Sequence, residues 1–297
     1  MVQNRIACNI LRVKTNDVHL IKYFYKDVIG MVYNKIVYND TIRHFFVFDY
    51  QIPKTGICFE ECKDFDEKVE NAGYWKIGIT LEDVDEAVKF INNKTQKKFK
   101  LGSQFEKIGF VSHVVDPLGY SIELLQYTFG ENFSKPTSVD RCLLNQSKST
   151  PPNFGQITIR CKDSKLSCAF YSQVLGMQLV SIQPSINYPF TLYFFAYTNS
   201  IPPNSKDLEA IENREWLWKQ PFAQIEIQHR HNPKENFEYT TNDRQGFGCI
   251  PHAGFQIAVS SKRFIIIQDN ENSKTVDNVL IIYDPDGYKI EVIDSNQ

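Results

Sequence analysis

Three features are missing from this sequence: a long hydrophobic run, a CxxC pair and an excess of charge of one sign. No apolar run approaches the roughly 18 residues that a transmembrane helix needs. The formal net charge is −2, so neither a nucleic acid nor an anionic membrane is favoured as a partner. The seven cysteines lack a second pair of matching spacing, which disfavours a structural zinc site and favours free buried thiols in a reducing compartment.

An apolar signal core is also lacking near the N-terminus, where the first residues lead into a strand-like segment. We therefore expect a cytoplasmic protein, or an organellar one if a transit peptide has been removed. The chain has 297 residues, of which 42% are hydrophobic and 23% charged. That length and composition suit a globular protein with two full cores.

An internal repeat organises the chain. The octapeptide Phe24–Met31 (FYKDVIGM) returns as Phe170–Met177 (FYSQVLGM), and Asp116–Glu123 (DPLGYSIE) returns as Asp284–Glu291 (DPDGYKIE). Because the repeats keep their order, they indicate a duplication. The sequence thus predicts a first domain at 5–130, a linker at 131–152 rich in Ser, Asn, Thr, Lys and Pro, and a second domain at 153–297.

Both halves show the same order of predicted elements: a strand, an amphipathic helix, three strands, and then a second strand and helix. Gly30 and Gly176 follow the first helix of each half, where a C-cap glycine belongs. Each half ends in an Asp-Pro-x-Gly-Tyr turn and a strand. The predicted first strands are Ile6–Val13 and Gln156–Cys161, and the predicted second helix of the second half is Lys262–Gln268.

This order, ending in Asp-Pro-x-Gly-Tyr-x-Ile-Glu, resembles the vicinal oxygen chelate superfamily. The second half is further similar to glyoxalase I in three stretches, Asn213–Trp218 (NREWLW), Gln224–Ile227 (QIEI) and Arg244–Gly248 (RQGFG). The resemblance covers nearly the whole chain and is weaker from Arg43 to Gly109. It implies an α+β fold in which four βαβββ modules form two curled mixed sheets. It also implies two clefts that each draw on both halves and hold a divalent metal, zinc or nickel.

In the first cleft, the resemblance implies that Gln156 and Glu226 are metal ligands. Glu123 falls on the last-strand glutamate, which in the family is both a ligand and the base that moves a proton. Arg160 falls on the arginine that meets the carboxylate of glutathione. These residue types suit that chemistry, because carboxylate and amide oxygens bind hard cations and an arginine fork matches a carboxylate. A glutamate beside a metal-stabilised enediolate can shuttle a proton between adjacent carbons.

Lys76 stands where the family has histidine or glutamine, and a protonated lysine has no lone pair for a metal. Three interpretations stay open: a three-ligand site with Lys76 turned away, an ammonium in the metal's place paired with Glu226 and Glu123, or a surface lysine. Around the glutathione position, Arg230 replaces an asparagine and Ala72 replaces a second arginine. We expect Lys76, Arg160 and Arg230 to contact the substrate.

The second cleft is predicted to be degenerate. Its residues at the corresponding positions are Cys8, Glu60 (near the first glutamate position), Gly254 and Glu291. Glycine offers no ligand atom, although His252 lies two residues earlier on the expected same face. A different metal site made from Cys8, His252, Glu60 and Glu291 is the alternative. Arg12 repeats the position of Arg160, so anion binding is expected here too.

Three functions remain open at this point. The resemblance implies a lyase that isomerises the hemithioacetal of methylglyoxal and glutathione to S-lactoylglutathione, with glutathione as co-substrate. The replacements at Lys76 and Gly254 favour an inactive relative that binds a small anionic or thiol ligand. A dioxygenase would need two histidines and a carboxylate on iron. We expect a small-molecule ligand, a monomer with modules paired within the chain, and loops at Asn199–Asn213 and Asn232–Gln245 over the first cleft.

Overall fold

The computed structural model describes residues 4–38, 41–63, 72–129, 151–231, 239–241, 252–268, 274–276 and 279–295. Within these ranges the chain forms the four predicted βαβββ modules. Nearly all of the predicted linker, the stretch Arg244–Gly248 and most of the predicted loop at 232–245 lie outside the described residues. No helix in the described ranges is both long and apolar enough to cross a membrane.

The first half supplies two modules. Module one contains β1 (Arg5–Lys14), α1 (Val18–Lys22), β2 (Val32–Tyr38), β3 (Thr41–Val47) and β4 (Gly56–Cys62). Module two contains β5 (Tyr74–Leu81), α2 (Val84–Thr95), β6 (Ser103–Phe105), β7 (Gly109–Val115) and β8 (Ser121–Gln126). Helix α2 begins where the Asp83 side chain accepts a hydrogen bond from the Glu86 amide, which caps the first turn.

The second half repeats this order with one added helix, α4. Module three contains β9 (Asn153–Cys161), α3 (Ser164–Ala169), β10 (Gln178–Pro184), β11 (Phe190–Ala196), α4 (Ile211–Trp218) and β12 (Gln224–Arg230). Module four contains β13 (His252–Val259), α5 (Ser261–Gln268), β14 (Lys274–Val276), β15 (Val279–Tyr283) and β16 (Lys289–Asp294).

Helices α1 and α3 both continue into a π-helical turn, at Tyr23–Val28 and Phe170–Val174. Gly30 and Gly176 then turn the chain with φ of 87° and 72°, which confirms the expected C-cap glycines. These turns bring Phe24 and Tyr25 of the first half and Tyr171 of the second half into the core.

The strands form two eight-stranded mixed sheets, and each sheet joins modules from both halves. One runs in the order β14-β15-β16-β13-β1-β4-β3-β2, and the other runs β10-β11-β12-β9-β5-β8-β7-β6. The junctions are the antiparallel pairs β1 with β13 and β5 with β9. The predicted pairing of modules across the two halves is therefore confirmed.

The Asp-Pro-x-Gly-Tyr turns tie the two modules of each half together. Asp116 accepts a hydrogen bond from the Tyr25 hydroxyl at 3.0 Å, while the Tyr120 hydroxyl donates to the carbonyl of Arg12 at 2.9 Å. In the second half, Asp284 accepts from Tyr171 at 3.0 Å and the Tyr288 hydroxyl donates to the carbonyl of Arg160 at 2.9 Å. The motif thus fixes the backbone that carries each cleft arginine.

The strand register at the two junctions shows which residues of the two halves correspond to each other. Lys76 pairs with Thr158 and Gly78 with Gln156, while Gly254 pairs with Ile10 and Gln256 with Cys8. Gly254 is therefore the counterpart of Lys76, as the strand register predicted. A bulge at this point separates His252 from Gly254, so that His252 pairs with Leu11, which follows Ile10 directly.

Candidate functional site

The first cleft lies on the face of the sheet where β12, β9, β5 and β8 are neighbours. Glu226 pairs in register with Thr158, and Glu123 pairs with Gly78. Because side chains alternate along a strand, Gln156, Glu226, Glu123 and Lys76 all reach one face. All four are buried, so the structure brings together the four residues predicted for this cleft.

Gln156 holds the two glutamates together. Its amide nitrogen donates to Glu226 at 2.7 Å and to Glu123 at 3.1 Å, and its amide oxygen accepts from Gln224 at 3.2 Å. The nitrogen rather than the oxygen of Gln156 therefore faces the carboxylates. This arrangement satisfies buried carboxylate oxygens with a neutral donor.

Lys76 points into the cleft and pairs with Glu123. Its ammonium lies 2.6 Å from a Glu123 oxygen, and only 4% of the Lys76 side chain is exposed. The ammonium also lies 3.9 Å from the centre of the Trp75 ring, a favourable cation–π distance. Two sequence interpretations are therefore wrong: Lys76 neither turns away from the cleft nor lies on the surface. Of the predicted pair of partners, Glu123 is the carboxylate in contact with the ammonium.

The pKa values of the two glutamates, Glu123 and Glu226, are shifted in opposite directions. Burial alone would raise the pKa of Glu123, but the Lys76 charge and a hydrogen bond from His113 lower it to about 2. Burial raises the pKa of Glu226, and the neighbouring Glu123 charge adds to that effect against the attraction of Lys76. The cleft therefore contains one firmly ionised carboxylate and one that holds its proton more readily.

Two residues of this cleft were absent from the sequence prediction. His113 on β7 lies 3.2 Å from the same Glu123 oxygen that Lys76 contacts. Trp75 stacks near the His113 ring, with ring centres 6.5 Å apart. Trp75 belongs to the stretch where the family resemblance is weak, and His113 lies between that stretch and the Asp-Pro-x-Gly-Tyr motif, so no motif marked either residue.

Arg160 lies on the same sheet, at the end of β9. Its side chain donates to Gln228 at 3.1 Å and to the carbonyl of Ala72 at 2.9 Å, and its guanidinium lies 5.0 Å from the centre of the Trp75 ring. Burial lowers the pKa of Arg160, and the nearby positive charge of Arg230 lowers it further. Arg230 is exposed at the end of β12. The two positive charges therefore repel each other, and a neighbouring anion would relieve that repulsion.

A cavity of about 80 Å³ opens beside Lys76 and Glu123, and neither Arg160 nor Arg230 is among its lining residues. Its charged and polar walls come from Lys76, His113, Glu123, Glu226 and Arg214, and aromatic and aliphatic side chains complete it. Arg214 and the adjacent wall residue Trp218 belong to α4. This helix begins at Ile211, so the predicted loop 199–213 is wrong at its last three residues. The lining contains no residue of that loop, whose Leu208 carbonyl instead accepts a hydrogen bond from the Ile182 amide of β10.

The second cleft is closed by an arginine from β3. Arg43 donates two hydrogen bonds to Glu291, both at 2.8 Å, and lies 2.8 Å from Glu60. Burial would raise the pKa of Glu291, but Arg43 and Lys289 lower it to about 2. The predicted residues Glu60 and Glu291 are thus brought together, with a guanidinium between them that the sequence prediction did not include.

The strand register of this cleft differs from the prediction at one position and agrees with it at another. Ile10 pairs with Cys58, in the same relation as Thr158 with Glu226. Cys58 is therefore the counterpart of Glu226, and Glu60 lies two residues farther along that face. Arg12 pairs in register with Glu60, as Arg160 does with Gln228, so the Arg12 position is as predicted.

His252 does not join Cys8, Glu60 and Glu291, so that predicted metal set is wrong. The bulge before Gly254 turns His252 to the opposite face, where its ring stacks on Tyr74 with centres 4.3 Å apart. Its Nε2 lies 3.0 Å from the Asn9 amide oxygen. Burial and the charge of Arg12 lower the pKa of His252 to about 3, so this histidine is neutral at physiological pH.

Comparisons with known proteins agree with this architecture. The family described as Glyoxalase/Bleomycin resistance protein/Dioxygenase superfamily matches residues 153–292. The chain is 26% identical over 252 residues to glyoxalase I of Saccharomyces cerevisiae, covering 78% of this chain and 68% of that protein. It is also 27% identical over 148 residues to the lactoylglutathione lyase of Pseudomonas putida, covering 47% of this chain and 83% of that protein.

The fold of glyoxalase I from Zea mays superposes on this chain with a TM-score of 0.69 at 17% identity, covering 99% of this chain and 93% of that one. This chain is glyoxalase-I-like in sequence and fold, and its residues 153–292 match the glyoxalase superfamily. The predicted fold, four modules in two curled mixed sheets, is confirmed. The glyoxalase-I-like assignment rests on both halves, since the yeast relative aligns over most of the chain.

The first cleft of this glyoxalase-I-like protein does not fit a divalent metal as its side chains stand. A metal ion would need lone-pair donors among the side chains that face it. Lys76 instead presents an ammonium, and Gln156 presents its amide nitrogen to the carboxylates. Among the described residues, no group of three or more His, Cys, Asp and Glu side chains is placed to hold a metal ion. The Lys76 ammonium supplies the positive charge that a metal ion would otherwise supply to Glu123.

Proposed function

We propose that this glyoxalase-I-like protein uses its first cleft to bind a small anionic ligand without a metal. The observation that carries the proposal is the buried ion pair between Lys76 and Glu123, at 2.6 Å. Removing such a pair from water is costly, so the pair persists only with close geometry and further hydrogen bonds. Gln156 and His113 provide those contacts.

Positive groups at the cleft support an anionic ligand. Arg160 and Arg230 stand close enough for one charge to lower the pKa of the other guanidinium. A planar guanidinium binds a carboxylate with two parallel hydrogen bonds. Because relatives are named lactoylglutathione lyase, glutathione and its thioesters are the first ligands to test. Since each sheet already joins modules of one chain, we propose that a monomer suffices.

A metal-dependent glyoxalase is the second candidate. It is favoured by the convergence of Gln156, Glu123 and Glu226, whose polar atoms meet at 2.7 and 3.1 Å. This candidate requires Lys76 to leave Glu123 before a metal binds. The two candidates therefore differ in metal content per chain.

The deciding experiment measures zinc and nickel per chain by mass spectrometry, beside a spectrophotometric assay of S-lactoylglutathione formation. Lys76→His supplies a lone pair, and Lys76→Met is the matched variant that removes the charge only. We expect wild-type protein and Lys76→Met to bind no stoichiometric metal, and Lys76→His to bind about one ion. Wild-type protein that contains one ion per chain, and whose turnover disappears in Glu123→Gln, would establish the second candidate instead.

A further inference from the structure

We propose that Arg214 and Trp218 of α4 form an inner anion site, which takes the carboxylate of a small organic acid. The inference extends the proposed function, because it assigns the chemical group that the bottom of the first cleft receives. It concerns residues on α4, separate from Arg160 and Arg230 at the ends of β9 and β12.

Arg214 is buried at the cavity and has an unused donor. Its Nε donates to the carbonyl of Ile108 at 3.2 Å, whereas its Nη1 is buried without a hydrogen-bond partner. The side chain is only 4% exposed. A buried donor left unpaired typically costs about 1–3 kcal/mol, and more when it is charged. The Arg214 guanidinium is therefore stabilised when a hydrogen-bond acceptor enters the cavity.

Trp218 adds a second unused donor to the same wall. Its indole Nε1 is also buried without a partner, and both residues line the one cavity. The Arg214 guanidinium lies 4.9 Å from the centre of the Trp218 ring and 4.1 Å from that of Phe194. Stacking between two rings fixes the plane of the guanidinium, as bidentate recognition of a carboxylate requires.

The charges of Lys76, Arg214, Glu123 and Glu226 around the cavity balance when Glu226 is ionised, and they leave a place for one anion when Glu226 holds a proton. Burial lowers the pKa of Arg214 to about 10 against the attraction of Glu226 and Glu123, so the guanidinium stays charged at neutral pH. Lys76 is already paired with Glu123, and Glu226 accepts its hydrogen bond from the neutral Gln156. The guanidinium of Arg214 makes no hydrogen bond to either glutamate among those found in the described residues.

The size and lining of the cavity restrict the ligand. A volume of about 80 Å³ suits a molecule of only a few heavy atoms. Leu192, Phe105 and Phe190 contribute apolar walls beside the two donors. A short carboxylic acid with an apolar end meets both requirements, whereas phosphate has no apolar part to place against these walls.

The test uses propionate, its neutral counterpart propionamide, and inorganic phosphate. Binding is followed by tryptophan fluorescence and by ligand-observed NMR on the full chain. Arg214→Met keeps the stacked volume and removes the charge. The matched control is Arg263→Met, since Arg263 donates to the carbonyls of Gln173 and Val174 away from the cavity. Circular dichroism verifies the fold, and Trp218→Phe replaces Arg214→Met if the latter does not fold.

We expect propionate to bind saturably and propionamide and phosphate at least tenfold more weakly. The dissociation constant for propionate should rise at least tenfold in Arg214→Met and stay unchanged in Arg263→Met. Equal binding of propionate by wild type and Arg214→Met overturns the inner site, as does equal binding of acid and amide. Protein that binds glutathione but not propionate overturns the inner site alone, whereas protein that binds neither overturns the proposed function as well.

Discussion

Lys76 shows how one side chain can change the chemistry of a cleft while the fold around it stays intact. Its ammonium neutralises Glu123 inside the sheet interface, where an unpaired charge would be costly. Lys76 and its carboxylate partner should therefore be energetically coupled.

We predict that Lys76→Met lowers the free energy of unfolding by about 3 kcal/mol, because it leaves buried carboxylates without their cation. Urea denaturation measures this change. The double variant with Glu123→Gln should recover much of the loss. Lys89→Met removes a lysine of similar type from an exposed pair with Glu86 and should change nothing measurable. Equal effects of the two lysine variants would show that the buried pair contributes no net stability.

His252 should make stability depend on pH. Its pKa is about 3 in the folded chain against an ordinary value of 6.5, so below pH 6.5 the unfolded chain binds the additional proton. Stability from this group is complete above pH 6.5 and falls as the pH drops towards 3. We predict that wild-type protein loses about 2 kcal/mol more than His252→Phe between pH 7 and pH 5. Parallel curves for the two proteins from urea denaturation would contradict this.

At the residue scale, the sequence predicts which side chains meet when a motif fixes their register. Glu123, Gln156 and Glu226 lie in such motifs, and the structure brings them together. Glu60 lies in no such motif. The period-two alternation of a strand places Glu60 and Cys58 on the same face and cannot distinguish which of them is the counterpart of Glu226. Arg43 reaches Glu291 across 248 positions of sequence, a contact that no local pattern contains.

At the element scale, Gly254 combines two restrictions on the backbone. Its φ is +115°, and an added Cβ would lie 2.3 Å from the carbonyl oxygen of Lys289. Only glycine meets both conditions, because the bulge requires a left-handed backbone beside a neighbouring strand.

We predict that Gly254→Ala destabilises the protein by about 3 kcal/mol, from strain and from overlap with β16. Gly119→Ala is the matched control, since Gly119 has a φ of +90° with nothing within 4 Å of the added Cβ, and it should cost about 1–2 kcal/mol. Thermal and urea unfolding measure both variants. Equal losses would mean that β16 moves aside without cost.

The strands and the repeated helices could be predicted from periodicity. Strand β1 extends one residue beyond each end of its predicted range, and β9 begins three residues before its predicted start. Helix α4 could not be predicted in this way, because Asn213, Arg214 and Glu215 are among its buried residues and polar burial removes the amphipathic signal. The stretch Asn213–Trp218 did carry the family resemblance, which marks the segment without revealing its role in the cavity.

At the scale of the whole molecule, neither half can complete a sheet alone. Strand β1 needs β13 and strand β5 needs β9, and the large core includes residues of all four modules. Exposed sheet edges of this length promote aggregation.

We predict that residues 1–130 and 151–297, expressed separately, are insoluble or unfolded, and that co-expression yields a one-to-one complex. Co-purification through a tag on one half, followed by circular dichroism, measures this. The full chain is the control. Two soluble, independently folded halves would contradict the prediction and would place the cooperative unit within each half.

The internal cations of the two clefts come from different strands, Lys76 from β5 and Arg43 from β3. The carboxylates of the two clefts are therefore neutralised in different ways, and creating a metal site would take a different number of substitutions in each cleft. In the first cleft, a single substitution at Lys76 would add a lone-pair donor to the candidate ligands Gln156, Glu123 and Glu226. The other cleft would need changes at Arg43, Cys58 and Gly254 together, and the last of these is held by the bulge. In a selection for metal binding, we therefore expect the selected substitutions to occur in the first cleft rather than in the second.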